Sequence, residues 1–171
     1  MDTEAPVDAW YTWVGVAVVG VAVLGFVLGL PGQPPPDATK AANTIDRVAG
    51  SVQESAATYE HDAAAVNIDT RRIAMRNDGG TTRASVAFGS LTPVSAVEDA
   101  AIRDALERIT HGQPPGAVLS EYRFDSTALR TATERTRERI DSNGTAWQPA
   151  DGVLTVRRVH IDGESLVLVD A

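Results

Sequence analysis

The chain has 171 residues, with 23 acidic against 15 basic side chains and a net charge of −8. That balance argues against a general nucleic-acid binder, and the lack of cysteine excludes disulfides, thiolate metal sites and cysteine nucleophiles. Lys40 is the one lysine beside fourteen arginines, a carboxylate-rich and lysine-poor pattern suited to concentrated salt, where screening removes self-repulsion.

An acidic tail, 1–9, carries Asp2, Glu4 and Asp8. Trp10 to Leu30 then reads WYTWVGVAVVGVAVLGFVLGL, with no charge. A helix of that length spans roughly 30 Å, so the run predicts a single-pass transmembrane helix over 10–30 with the lipid bilayer as its partner. Trp10, Tyr11 and Trp13 stand at its edge, where amphipathic rings favour headgroups. The N-terminus lacks the basic start of a signal peptide, and no small-residue cleavage site follows, so the span is expected to stay uncleaved. On a helical projection Gly15, Ala22, Gly25 and Gly29 share one face. Gly25 and Gly29 make a GxxxG, the pattern of self-association or of contact with a membrane-protein partner. The flanking basic residues, Lys40 and Arg47, are too remote to orient the span, and the side of the membrane stays open.

Pro31-Gly32-Gln33-Pro34-Pro35-Pro36 reads as a stiff spacer over 31–36, because consecutive prolines remove backbone donors and stop a helix. Residues 37–171 then read as one α+β domain. Ala38, Ala41, Ile45, Val48 and Val52 recur at helical spacing, with Asp46 and Glu54 outside the stripe. Val66 and Ile68 alternate as in a strand. Ile73 and Met75 in RRIAMR, a turn at Asn77-Asp78-Gly79-Gly80, and Ala84, Val86 and Phe88 predict a hairpin across 71–89. Ser95-Ala96-Val97-Glu98 fits a capping box opening a helix whose inner stripe is Ile102, Ala105, Leu106 and Ile109, stopped by Gly112 and Pro114-Pro115. A further helix over Ser126–Ser142 turns Leu129, Ala132, Thr136 and Ile140 inward and ends at Asn143-Gly144. A second hairpin follows, Val153 to Ile161, Asp162-Gly163, then Leu166 to Val169. The LVLV run is apolar on both faces, as in an interior strand. The expected architecture is an antiparallel sheet of two hairpins packed by about three helices.

No motif in the chain specifies a reaction. His61, His111 and His160 are widely separated and lack metal-ligand spacing, so no catalytic, cofactor or metal residues are expected. His111 near a helix end is read as complementing the helix dipole. Serines occur outside G-x-S-x-G, and neither a P-loop nor GxGxxG is present. Arg130, Arg135, Arg137 and Arg139 are interleaved with Glu134, Glu138 and Asp141, the pattern of a solvated helix face. Arg157-Arg158 interrupts its strand, which predicts a bulge. Asn143-Gly144-Thr145 is a glycosylation acceptor if the domain lies outside the cell, and otherwise a helix-ending turn.

Taken together, APVDAWYTWVGVAVVGVAVLGFVLGLPGQPPPDA, RRIAMRNDGG and VRRVHIDGESLVLV resemble uncharacterised single-pass membrane proteins of halophilic archaea, themselves similar to small proteins associated with type IV pilus systems. The resemblance implies no active-site residues. The proline break and the missing leader motif argue against a pilin subunit. The expected function is a membrane-anchored, non-enzymatic accessory protein whose domain binds a protein partner, in a surface, secretion or pilus assembly. The alternatives are a tethered sensor or ligand-binding domain, and a tethered enzyme.

Overall fold

The computed structural model describes residues 8–29 and 32–171, so the acidic tail through residue 7, Leu30 and Pro31 lie outside the described residues. The chain divides into two units, Met1–Gln33 and Pro34–Ala171.

In the first unit, helix α1 runs Asp8–Leu28 and closes at Gly29, whose N–H donates to the carbonyls of Gly25 (3.1 Å) and Phe26 (3.2 Å). The expected transmembrane span is corrected here: among the described residues no helix is long and apolar enough to cross a membrane. The helix is set two residues earlier than the uncharged run, taking in Asp8 at its start and closing at Gly29. The single-pass placement in the cell membrane inferred from Trp10–Leu30 is withdrawn with it.

The second unit contains helix α2 (Ala38–Ala49), strands β1 (Ser55–Glu60), β2 (Ala65–Ile68), β3 (Arg72–Asn77), β4 (Gly80–Ser85) and β5 (Leu91–Pro93), and a 3₁₀ turn at Val94–Ala96. Helices α3 (Ala100–Thr110), α4 (Pro115–Tyr122) and α5 (Ser126–Asn143) follow, then β6 (Gln148–Pro149), β7 (Val153–Ile161) and β8 (Glu164–Asp170). The strands form two sheets, β1-β7-β8-β5 and β4-β3-β2-β6. This corrects the expected single antiparallel sheet. Each predicted hairpin forms, but in a different sheet, and β5 pairs with β8 in parallel. β1, β5 and β6 were not anticipated, because SAATYE, LTP and QP carry no distinctive apolar alternation.

The sheet β1-β7-β8-β5 is packed on both faces. Leu154 and Val156 of β7 with Val167 and Val169 of β8 join a core with α2 and the second sheet. Val159, Ile161, Leu166 and Leu168 join another with α3, α4 and α5. The reading of LVLV as an interior strand is therefore correct. The turn at Asp162-Gly163 takes positive φ at both residues (49° and 81°), the backbone form that matches strand twist in a two-residue hairpin.

Helix α2 touches both sheets. Its facing positions Ala38, Ala41 and Ala42 are buried, and their single methyl groups let strand side chains approach the helix closely. Asp37 caps it by accepting from the Lys40 N–H at 3.0 Å, which holds the Asp37 carboxyl below its usual range. Asp46 accepts from the N–H groups of Ala87 (2.8 Å) and Phe88 (2.9 Å), tying the loop after β4 to the helix. The helix ends at Gly50, so Val52, expected on its buried stripe, is 89% exposed.

Two other local expectations change. The helix after β5 starts at Asp99 rather than in a capping box at Ser95, because the Asp99 carboxylate takes the N–H groups of Ala101 (2.9 Å) and Ile102 (3.0 Å). Its inner stripe is as read. α3 stops at Thr110, before Gly112 and Pro114-Pro115 as expected, and Pro115 also opens the unanticipated α4 as its first residue, where a missing N–H is harmless. No bulge forms at Arg157-Arg158, which keep continuous register with β1 and β8. They alternate faces, and each closes a helix: Arg157 donates to the Ile109 carbonyl of α3 and Arg158 to the Ala49 carbonyl of α2.

His61 is partly buried. Its Nδ1 accepts from the Ala63 N–H at 3.3 Å, while Nε2 has no hydrogen-bond partner among the described residues. Burial lowers its pKa below 6.5, outweighing the attraction of Asp151 and Asp62. The unfolded chain therefore binds this proton more readily, so the stability tied to neutral His61 is present above pH 6.5 and is lost as pH falls through the lowered folded value. Urea midpoints measured at about pH 7.5 and about pH 5 are expected to drop on acidification, and His61→Gln to reduce the drop. In a separate test of the α2 packing, Ala41→Leu is expected to lower unfolding free energy by about 1–3 kcal/mol through overpacking; a neutral result would show unfilled space beside the helix.

Candidate functional site

The largest concavity among those described, about 670 Å³, is an open groove between α5 and the chain entering α3. Ala128, Thr131, Ala132 and Arg135 form its α5 wall; Val97 and Ile102 face them. Helical spacing aligns those four residues on one face, while Leu129, Thr133, Thr136 and Ile140 turn into the domain. The expected inner stripe is thus right in outline, with Ala132 half-exposed on the groove and Thr133 buried in its place.

The ionisable groups around the groove are largely committed to structure. Asp99 caps α3, and Asp125 caps α5 by accepting from the Ala128 N–H at 2.7 Å. The Nε of Arg139 pairs with Glu98 at 3.1 Å, and its Nη2 donates to the Ala96 carbonyl, holding the 3₁₀ turn against α5. Arg103 donates to the Val97 carbonyl at 2.8 Å from the other side. Thr136 donates to the Ala132 carbonyl of its own helix. Arg135 is exposed on the wall and makes no ion pair among the described residues. The result is a wall of short side chains, a small apolar floor and one available cation. α5 is fastened beside it: Arg137 donates to Thr92 at 2.9 Å, its pKa lowered by burial, and Asp141 accepts from Thr70 at 2.6 Å.

The residues singled out in the sequence do not meet at this groove. Gly15, Ala22 and Gly25 are exposed on α1 and Gly29 lies in its closing turn; a Cβ at Gly15 or Gly25 would meet nothing within 4 Å. Asn143 is exposed as the last residue of α5. His111 follows α3 and pairs with Asp170 at 2.9 Å. Among the described residues no group of three or more His, Asp or Glu side chains could hold a metal ion. Sequence reasoning missed the groove because it credits a helix with one buried stripe. The signal was a second row of small residues on α5, Ala128, Thr131 and Ala132.

Two packed sheets with a helix between them and a helical layer outside define an α+β domain with an open interhelical groove. The chain belongs to a family of unknown function (DUF7283), whose model matches residues 4–159. Neither the curated proteins nor the solved structures contain a match. The family agrees with the resemblance to an uncharacterised family, and its description names neither a source, a membrane nor a pilus.

The groove walls depend on their caps. Asp99→Ala and Asp125→Ala are each expected to lower stability by about 1 kcal/mol in chemical denaturation, the usual loss when a helix N-cap is removed.

Proposed function

We propose that the Pro34–Ala171 unit is a non-enzymatic accessory domain that binds a segment of a protein partner in the groove between α3 and α5. The observation carrying this reading is the combination of an open, small-residue groove with acidic side chains already engaged as caps and ion pairs. A protein segment can seat apolar side chains between Val97, Ile102 and Ala132, while Arg135 offers a polar contact at the margin. Catalysis instead calls for titratable groups free to exchange protons at a reacting atom.

A photo-crosslinking residue introduced at Ala132 in the full chain, in its native host, tests the proposal. A discrete protein adduct is expected at Ala132 and none at the exposed control Val153. Equal labelling at both positions, or a retained small molecule in native mass spectrometry with no protein adduct, would overturn it, the latter in favour of a ligand-sensing domain.

A further inference from the structure

A second surface, the outer face of the sheet β4-β3-β2-β6, gathers arginines. Side chains alternate across the sheet β4-β3-β2-β6, and Ile73 and Met75 point to the core. Arg72, Ala74 and Arg76 of β3 therefore share the outer face. Ala74 is directly opposite Arg83 of β4 on one side and Asn67 of β2 on the other. Arg72, Arg76 and Arg83 thus surround one alanine, and a hollow of about 200 Å³ lies there, lined by Asn67, Asp69, Arg72, Ala74 and Arg83.

Like charges at neighbouring sheet positions repel and destabilise the fold. This chain has carboxylates in excess, yet among the described residues only Asp69 pairs with the cluster, at 3.3 Å from Arg72. Arg83 makes no ion pair among those residues. Arg76 is held in place by the Trp147 ring, whose centroid lies 4.5 Å from its guanidinium carbon. Asn67 is oriented by donating to the Thr145 carbonyl at 2.6 Å. Three guanidinium groups around a small floor, with a single carboxylate paired to them, are arranged to receive a further anion.

We infer that this face binds an acidic segment of a protein partner, with one aspartate or glutamate carboxylate seated over Ala74 between Arg72 and Arg83. The charge balance selects that occupant. Asp69 places one negative charge in the lining, which suits a singly charged carboxylate better than a phosphate dianion. The net charge of −8 repels a long polyanion such as RNA or DNA, but a short peptide meets mainly the local arginines. The hollow accommodates a side chain rather than a whole ligand. The inference does not rest on the groove between α3 and α5.

The test uses the full chain and three fluorescent probes at low salt: a ten-residue glutamate peptide, its glutamine counterpart and a ten-residue oligothymidylate, read by anisotropy. The glutamate peptide is expected to bind, the other two to bind more weakly, and added salt to reverse binding. Arg83→Glu and Arg72→Glu are expected to weaken peptide binding about tenfold or more, with the thermal midpoint little changed. Arg123→Glu, which alters net charge equally but lines neither the hollow nor the groove, is expected to leave it unchanged. Arg83→Lys is expected to restore part of the affinity. Failure of the glutamate peptide to bind, an equal loss in Arg123→Glu, or tighter binding of the oligothymidylate overturns the inference.

Discussion

Burial of β7 and β8 on both faces is the constraint from which the rest of the domain follows. Leu166, Val167, Leu168 and Val169 are all buried, with alternate residues feeding separate cores. Each such side chain contributes about 2 kcal/mol when removed from water, and no single layer can shield both sets. The fold therefore needs a layer on each side. α2 and the second sheet supply one, and α3, α4 and α5 the other. β5 completes the arrangement as an edge: it pairs with β8 in parallel, and its Thr92 receives Arg137 from α5.

Arginine does two kinds of work in this lysine-poor chain. Arg157 and Arg158, consecutive on β7 and hence on opposite faces, satisfy carbonyls at the ends of α3 and α2. A planar fork on a long stem can reach a helix end from a strand and still donate in defined directions. These two side chains link the sheet to the helices of both cores. Arg139 and Arg103 act similarly at a smaller scale, fastening the turn that forms one wall of the groove. Arg72, Arg76 and Arg83 differ, because they gather on an outer sheet face where structure offers few partners. The contrast separates arginines consumed by packing helices onto strands from those gathered on an outer sheet face.

The parts of this fold legible in the sequence are those governed by local periodicity and turn chemistry. The α2 stripe through Val48, the α3 stripe, both hairpins and the end of α5 at Asn143-Gly144 rest on apolar spacing and on residues that tolerate unusual backbone. Boundaries decided by capping were read less well. Asp99 starts α3 where a capping box at Ser95 was expected, and Pro115 opens α4, which was not anticipated, since side-chain oxygens and proline geometry act one residue at a time. The groove was largely hidden, because Ala128, Thr131 and Ala132 matter only once Val97 and Ile102 are brought opposite them.

By itself the sequence determined the acidic charge balance, the absence of cysteine chemistry, the main helical and strand segments and the two-faced character of β8. Composition and neighbouring residues suffice for these. Tertiary structure alone decided that the hairpins belong to different sheets, that β5 joins β8 in parallel and that Arg157-Arg158 closes two helices without a bulge. It also limited the apolar N-terminal run to a helix ending at Leu28, with no described helix long and apolar enough to cross a membrane. The physical reason is common to all of these. Strand partners, helix ends and facing surfaces depend on hydrogen bonds and contacts between residues distant in the chain, which no local pattern encodes.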